Sequence, residues 1–355
     1  MSAKERRQGS RRRHANSWLE YCIKHIHCIK TPSTAQVNGE SSVGIGKGRS
    51  GQGSIAAAWC NAGLGMVLAI TLGVAATAVH AEDVLTKIRD SKTITIGYRE
   101  ASFPFSFVDQ DKKPVGYAID LCLKIADAVK QQLKLPQLNI VYVPVTSSNR
   151  IDMIASGKID LECGSTTNNA ERRKQVSFTI AHFMASSRML VRVEDKIKNW
   201  PDLRDKKVAT TKGTTSVKSL VDRGQVRSLN MTIVEGRDHN ESFKMVEDKA
   251  ADAFVMDDVL LYGLKATAKD PAAYAIVGEP LTTEPYAIML PKGDTSYKAV
   301  VDREMGRIIH DGEINKLYTK WFLSPIPAKN NLVLNMPMGY LFRESLRFPS
   351  DQVGN

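Results

Sequence analysis

Three arginines in the central part of the chain have neighbours that suit anion binding. Arg99 and Arg150 each follow a strand-like run and lie among small hydroxyl residues, and Arg172 closes the string GSTTNNAER at residues 164–172. A guanidinium pairs with a carboxylate through two parallel hydrogen bonds and stays charged at ordinary pH. One such arginine alone would be interpreted as a surface residue. The three together, each with serine or threonine nearby, favour a pocket for a small ligand with more than one carboxylate.

The positive charge of the chain has a local origin. The formal net charge is +11, from 49 Lys and Arg against 38 Asp and Glu. Residues 1–81 hold ten Lys and Arg and three Asp and Glu, hence +7, which leaves +4 for the rest of the chain. This remaining charge is too mild to indicate a polyanionic partner, so we predict that the protein does not bind nucleic acid.

Residues 1–81 are predicted to be a basic leader that ends in a secretory signal peptide. Residues 55–81 contain no charged residue, follow Lys47 and Arg49, and end in small residues at Val79 and Ala81. A charged region, a short apolar core and a small-residue cleavage site together describe such a signal. We predict cleavage after Ala81. The alternative is a retained membrane anchor, because the stretch approaches the about 20 apolar residues that a spanning helix needs.

The cysteines give no indication of a metal site. Residues 22–28 contain cysteines and histidines, but the spacing is not that of a zinc site and no second ligand pair follows. We therefore predict that the protein binds no metal and no cofactor. Beyond the leader only Cys122 and Cys163 remain. A secreted chain is compatible with one disulfide, but the sequence cannot place the two Cα atoms within bonding range, so their pairing stays open.

After Glu82, segments with strand and helix patterns alternate. Strands are predicted at residues 93–98, 138–145, 159–162, 189–193, 208–210, 231–234, 253–256 and 286–290. Helices are predicted at residues 120–134, 149–156, 213–221, 240–249, 257–268, 296–311 and 314–322. The alternation predicts an α/β fold with parallel sheets covered on both faces. The pattern restarts after residue 193, which predicts two lobes of similar layout.

Five stretches resemble the periplasmic amino-acid-binding proteins of ABC importers, and in particular those that bind glutamate and aspartate. The stretches occur in the order found in that family, and the resemblance covers nearly all of residues 83–335. They are GYREASFPFS (97–106), GYAIDL (116–121), NRI (149–151), ECGSTTN (162–168) and FVMDD (254–258).

The resemblance implies a type II periplasmic-binding-protein fold, in which two lobes are joined by two crossover segments and close on a ligand in the cleft. On this basis we expect lobe 1 to comprise residues 82–187 and 285–325, and lobe 2 residues 188–284. Residues 326–355 are expected to form an extended C-terminal tail. The resemblance further implies a monomeric periplasmic protein that captures L-glutamate or L-aspartate and delivers it to a membrane permease.

The resemblance also implies how the backbone end of an amino acid would be held. Arg172, helped by Thr167 and by the helix N-terminus at Thr215, is expected to bind the α-carboxylate. Asp257, supplemented by Ser165, is expected to accept hydrogen bonds from the ammonium group. The residue types leave another role open for Asp257, which could instead cap the helix that follows it.

The side-chain carboxylate of the ligand is then expected to contact Arg99, Ser147, Arg150 and His239. His239 lies among polar residues, so a solvated loop histidine is an open alternative for it.

An enzyme related to dehydratases and an amino-acid sensor are the alternative functions. An enzyme needs an acid or base near a reacting bond, whereas these candidate residues are mostly arginines and hydroxyls that suit holding a ligand. We therefore predict that the protein is not an enzyme. A sensor is expected to continue into a spanning helix and a signalling module, which this sequence does not show.

Overall fold

The computed structural model describes residues 83–353, so the predicted signal peptide and its cleavage site lie outside the described residues. Strands and helices alternate along this range, as the sequence pattern predicts. Its strands are β1 Thr93–Tyr98, β2 Ala101–Ser102, β3 Ser106–Val108, β4 Pro114–Val115, β5 Asn139–Pro144, β6 Leu161–Cys163, β7 Val176–Phe178, β8 Phe183–Ala185, β9 Ser187–Arg192, β10 Lys207–Thr211, β11 Thr232–Gly236, β12 Ala253–Asp257, β13 Tyr274–Val277, β14 Glu284–Tyr286 and β15 Met289–Pro291.

The helices of the described residues mostly coincide with the predicted ones, although α1 and α9 have no predicted counterpart. They are α1 Val84–Ser91, α2 Tyr117–Gln132, α3 Arg150–Ala155, α4 Thr215–Arg227, α5 His239–Glu247, α6 Asp258–Thr267, α7 Thr295–His310, α8 Glu313–Tyr318 and α9 Tyr340–Ser345. The expectation of an extended tail over residues 326–355 is wrong where α9 forms, because Phe342 on that helix is buried. No helix in this part of the chain combines the length and the apolar character needed to cross a membrane.

Two five-stranded sheets form the centres of two lobes. The sheet of lobe 1 has the strand order β5-β1-β6-β15-β7, and the sheet of lobe 2 has the order β11-β10-β12-β9-β13. In each lobe the three strands at one side of the sheet run parallel, since β1 pairs parallel with β5 and β6, and β10 with β11 and β12. This places the carboxyl ends of these strands at one edge of each sheet, where ligands bind in α/β proteins.

The prediction of wholly parallel sheets is wrong for β9 and β15. β9 runs antiparallel to β12 and β13, and β15 runs antiparallel to β6 and β7. β9 follows directly after the connection between the lobes, so its first residue, Ser187, pairs with Asp257 at the carboxyl end of β12. A strand that starts at that edge must run away from it, which makes it antiparallel to its neighbour.

The two connections between the lobes pair with each other as a small sheet. β8 in the first connection pairs antiparallel with β14 in the second, with Phe183 opposite Tyr286. Both side chains are buried against Phe105, whose ring centroid lies 5.0 Å from that of Phe183 and 5.2 Å from that of Tyr286. Packed aromatic rings bury a large apolar area, so this cluster attaches the two connections to lobe 1.

A disulfide joins helix α2 to strand β6. Cys122 lies in the first half of α2, Cys163 ends β6, and their Cα atoms are 6.3 Å apart. α2 carries buried residues at helical spacing, among them Leu121, Ile125 and Val129, and presents them to the core of lobe 1. The pairing left open by the sequence is therefore present, and it fixes the strand that leads into the string of residues 164–172.

Candidate ligand-binding site

A small enclosed cavity lies in the cleft between the lobes, where strands end and helices begin. Seven of the nine predicted site residues line it, and the other two, Arg99 and Arg172, are buried nearby. The lining residues are Ser147, Arg150, Ser165, Thr167, Thr214, Thr215, His239, Met256, Asp257 and Leu260.

Arg99 directly follows β1 and is almost completely buried. Its Nη2 donates to Ser147 Oγ at 2.7 Å and lies 3.3 Å from His239 Nε2 across the cleft. Its Nη1 is buried without a hydrogen-bond partner among the described residues. Burial, and then the charge of Arg150, lower the pKa of Arg99 to about 9, so the guanidinium remains a cation at neutral pH.

Arg150 is the first residue of helix α3 and is 2% exposed. Its Nε and Nη1 have no hydrogen-bond partner within residues 83–353. Burial lowers its pKa, and the largest opposing influence is the charge of Glu162. A buried cation with unsatisfied donors is costly unless an anion pairs with it. Arg150 therefore presents an unsatisfied guanidinium to the cavity.

Arg172 begins a 3₁₀ turn, Arg172–Lys174, and joins both lobes. Its Nη1 donates to Thr167 O at 2.9 Å within lobe 1, and its Nη2 donates to Gly213 O at 3.3 Å in lobe 2. Burial, and then the charge of Arg150, lower its pKa to about 10. The guanidinium thus lies between the loop after β6 and the start of α4.

Hydroxyl groups from both lobes complete this side of the cavity. Ser165 Oγ donates to Ser102 Oγ at 3.3 Å, and Thr167 forms an isolated bridge with Tyr286. Thr215 is the first residue of α4, and its Oγ1 donates to Glu284 Oε2 at 3.1 Å. The first N–H groups of a helix have no partners within the helix, so the start of α4 offers donors for an anion.

Asp257 ends β12, and its carboxylate is occupied by tertiary contacts rather than by helix capping. It accepts hydrogen bonds from the hydroxyl of Tyr286 and from Ser187 Oγ, the latter at 3.3 Å. The adjacent Asp258 accepts instead from the backbone N–H of Val259 at 2.7 Å. Burial, and then the charge of Glu284, raise the pKa of Asp257 to about 7.

His239 is the first residue of α5 and is 1% exposed, so the alternative of a solvated loop histidine is wrong. Asp238 caps this helix by accepting from the N–H of Glu241 at 2.9 Å, which fixes His239 at the helix start. His239 Nδ1 lies 2.9 Å from Thr211 Oγ1. Burial, followed by the charges of Arg99 and Arg150, lowers the pKa of His239 well below its usual range, so the ring is neutral.

Comparison with known families identifies the family of this chain. The family model of bacterial extracellular solute-binding proteins, family 3, matches residues 94–324. The chain is a family 3 solute-binding protein. This confirms the family predicted from the five sequence stretches, and the two sheet-containing lobes agree with the predicted fold.

Two characterised proteins resemble this solute-binding protein over most of their length. The L-glutamate/L-aspartate-binding protein of Pseudomonas aeruginosa PAO1 is 43% identical over 287 residues, which cover 81% of this chain and 95% of the relative. The glutamate/aspartate import solute-binding protein of Escherichia coli K12 is 40% identical over 296 residues, which cover 82% of this chain and 97% of the relative. Both are solute-binding proteins, which supports the prediction that this protein is not an enzyme.

A solved structure resembles the fold of this solute-binding protein. An ancestral arginine-binding protein with bound arginine superimposes with a TM-score of 0.59 at 29% sequence identity. The match covers 65% of this chain and 98% of the other chain. The similarity supports the two-lobed amino-acid-binding-protein fold.

Sequence reasoning missed three buried polar residues that interact with predicted site residues of this solute-binding protein. Glu162 is fully buried, with Oε2 accepting from Thr166 Oγ1 at 2.7 Å and Oε1 without a partner among the described residues. Glu284 and Tyr286 lie on β14 and contact Thr215 and Asp257. Glu162 stands within the recognisable ECGSTTN stretch, so a buried acid could have been suspected there. No local pattern connects the β14 residues to partners so far away in sequence.

Proposed function

We propose that this protein captures L-glutamate or L-aspartate and delivers it to the membrane permease of an ABC importer. The observation that carries the proposal is the buried guanidinium of Arg150, which borders the cavity with two unsatisfied nitrogen atoms. A neutral amino acid would leave this charge unpaired. An acidic ligand would supply the missing anion, and a guanidinium that is already desolvated forms a strong charge-assisted pair with it.

The ligand's side-chain carboxylate is proposed to pair with Arg99 and Arg150, with Ser147 and His239 completing the subsite. Arg99 Nη1 also has no partner within the described chain, so both arginines have donors to offer. The nearby histidine is neutral, which spares the subsite a further charge and lets a ring nitrogen take part in hydrogen bonding.

The ligand's α-carboxylate is proposed to pair with Arg172, supported by Thr167 and by the backbone N–H groups at the start of α4, near Thr215. The ammonium group is proposed to donate to Asp257 and Ser165. The raised pKa of Asp257 is consistent with a carboxylate that awaits a cation, because a bound ammonium would compensate its burial.

Contacts across the cleft support a cycle of opening and closure. Arg172 reaches Gly213 O, and Ser148 Oγ donates to the neighbouring Lys212 O at 3.3 Å, so two parts of lobe 1 touch the same loop of lobe 2. The ligand would have to be admitted when these contacts are broken and gripped when they form. We assign residues 82–187 and 285–325 to lobe 1 and residues 188–284 to lobe 2, with the hinge at residues 185–190 and 282–286.

A monomer in the periplasm is the proposed working form, released by cleavage of the signal peptide after Ala81. The relatives' names describe binding and import of glutamate and aspartate. A family of extracellular solute-binding proteins is consistent with export of this chain.

Calorimetric titration of the mature protein against the common amino acids tests the proposal. Glutamate and aspartate should bind, whereas leucine and lysine should bind far more weakly. Leaving one buried charged group unpaired costs about 1–3 kcal/mol or more, which corresponds to roughly a tenfold to hundredfold loss of affinity. Binding of leucine or lysine as tight as that of glutamate would reject the proposed ligand class.

A further inference from the structure

The C-terminal part of the chain returns to the connection between the lobes. Helix α9 buries Phe342, whose ring centroid lies 5.7 Å from that of Phe183 in β8 and 6.0 Å from that of Tyr318. These contacts attach the tail to the same aromatic cluster that supports the two connections. The chain then continues past α9 toward the mouth of the cleft, where Gln352 and Val353 border an outer groove.

At the mouth of the cleft, Asp351 forms a compact polar network with lobe 1. Its backbone carbonyl accepts from Asn168 Nδ2 at 2.9 Å and from the guanidinium of Arg173. Arg173 Nε in turn donates to Asn168 Oδ1 at 2.8 Å. The Asp351 carboxylate lies 3.0 Å from Lys298 Nζ on α7. The tail is therefore held by several mutually supporting contacts.

The residues held by Asp351 are the immediate neighbours of two proposed ligand-binding residues. Asn168 follows Thr167, and Arg173 follows Arg172. The same loop therefore carries two residues proposed to bind the ligand and two residues that bind the tail. Arg172 Nη1 also donates to Thr167 O, which ties the two ends of this loop together. Asn168 is 2% exposed, so its amide depends on the partners that Arg173 and Asp351 provide.

We propose that the segment of residues 339–353 is a C-terminal clamp that holds the loop of residues 167–173 in its ligand-binding geometry. Asn168 and Arg173 are positioning residues. Their hydrogen bonds to Asp351 restrict the backbone of the adjacent residues Thr167 and Arg172. The clamp's importance for affinity rests on the proposed function, because those two residues are assigned to the α-carboxylate of an amino acid. A ligand is gripped well only if the groups that bind it are ordered beforehand.

Deletion of residues 350–355 tests the clamp, because it removes Asp351 but retains α9 and the buried Phe342. Calorimetry and stopped-flow dissociation should show glutamate binding weakened by about tenfold, mainly through faster dissociation, as expected when buried groups lose their partners. Arg347→Ala is the matched control, because this exposed tail residue pairs with Glu344 at 3.2 Å on its own segment. The control should bind glutamate like the parent protein.

A double-mutant cycle identifies the route of the effect. Asn168→Ala should weaken binding by a similar factor, and adding the deletion to it should weaken binding little further, because both changes break the same contact. Parent-like affinity of the deletion variant would overturn the proposal. A loss of affinity matched by an equal fall in the free energy of unfolding would also overturn it, since that would indicate general destabilisation.

Hydrogen exchange separates failure of the clamp from failure of the proposed function. In the ligand-free protein, the deletion should raise amide exchange in a peptide covering residues 166–174 and leave β10 and β11 unchanged. Unchanged exchange in that peptide would overturn the clamp whatever the protein binds. Raised exchange in a protein whose parent form binds no amino acid would support the clamp and reject the proposed function.

Discussion

Arg99 Nη2 in lobe 1 lies 3.3 Å from His239 Nε2 in lobe 2, and this pair spans the cleft. A guanidinium can only donate, so Nε2 is the acceptor and the proton of the neutral ring belongs on Nδ1, which faces Thr211 Oγ1 at 2.9 Å. On the proposed cycle of closure, opening of the cleft would separate the two side chains. The contact between Arg99 and His239 therefore forms only when the two lobes are close together.

Glutamate should close the lobes, and a side chain at Gly213 should prevent closure. Gly213 has φ +78°, and a Cβ there would lie 2.7 Å from Ser147 O and from Ser148 Cα in the opposite lobe. Small-angle scattering should show a smaller radius of gyration for the parent protein with glutamate, and no such change for Gly213→Val. Gly293→Val is a suitable control, because Gly293 has φ +86° with no atom within 4 Å of its added Cβ. An unchanged radius of gyration of the parent at saturating glutamate would count against closure.

Arg150→Ala and Arg172→Ala should affect different ligands. The first should weaken acidic amino acids selectively, by roughly 2–5 kcal/mol if the pair is desolvated, because it removes the partner of the side-chain carboxylate. The second should abolish binding of every amino acid, because it removes the partner of the shared α-carboxylate. Calorimetry with glutamate, aspartate and glutamine measures both. The control Arg89→Ala, on the exposed side of α1, should bind normally. Parent-like glutamate binding by Arg150→Ala would show that the proposed subsite is wrong.

Glutamate affinity should rise with pH across neutrality. Burial and the charge of Glu284 raise the pKa of Asp257 to about 7, whereas the ligand ammonium requires the ionised carboxylate. Binding should therefore release a proton, and affinity should fall by up to about tenfold per pH unit below 7. Calorimetry from pH 5.5 to 8.5, in two buffers with different heats of ionisation, measures the released proton. Asp257→Asn should bind weakly and independently of pH, and a pH-independent parent would contradict the assignment of Asp257.

His182 should make the folded protein less stable in acid. Burial lowers the pKa of this fully buried histidine to about 3, and neither ring nitrogen has a partner among the described residues. In the unfolded chain His182 binds a proton near pH 6.5. Between pH 6.5 and 3 the unfolded chain therefore holds more protons than the folded state, and the free energy of unfolding decreases as the pH is lowered. His182→Phe should remove up to about 1.4 kcal/mol per pH unit of this slope in urea unfolding. A parent-like slope in His182→Phe would refute the prediction.

Loss of the Cys122–Cys163 disulfide should lower stability without changing the ligands bound. The bridge closes a loop with a sequence separation of 41 residues and lies in lobe 1, and neither cysteine lines the cavity. Its removal should cost about 2–4 kcal/mol in the free energy of unfolding. Urea unfolding of the double variant Cys122→Ala/Cys163→Ala checks the cost, and calorimetry checks that glutamate is still preferred over leucine. Unfolding at the parent's urea concentration would show that the bridge adds no stability.

Local patterns were sufficient to predict most elements and the chemical character of the site. β1 was predicted over residues 93–98, which is where it lies, because alternating threonine and isoleucine match a strand with one buried face. Arg99, directly after this strand, was predicted to bind an anion because strand ends collect at the cleft of an α/β fold. The parallel direction predicted for β9 was wrong, because strand direction depends on where the chain enters the sheet and not on its residue pattern.

The sequence by itself determined the residue types that suit an acidic ligand, the alternation of elements and the family resemblance, since these depend on periodicity and on side-chain chemistry along the chain. Only the tertiary structure decided which distant groups meet. The hydroxyl of Tyr286 reaches Asp257, and Asp351 in the tail reaches Asn168. Such pairs are set by sheet register and by the packing of whole elements, and no short stretch of sequence encodes them. The unsatisfied guanidinium of Arg150 likewise became evident only when its surroundings were in place.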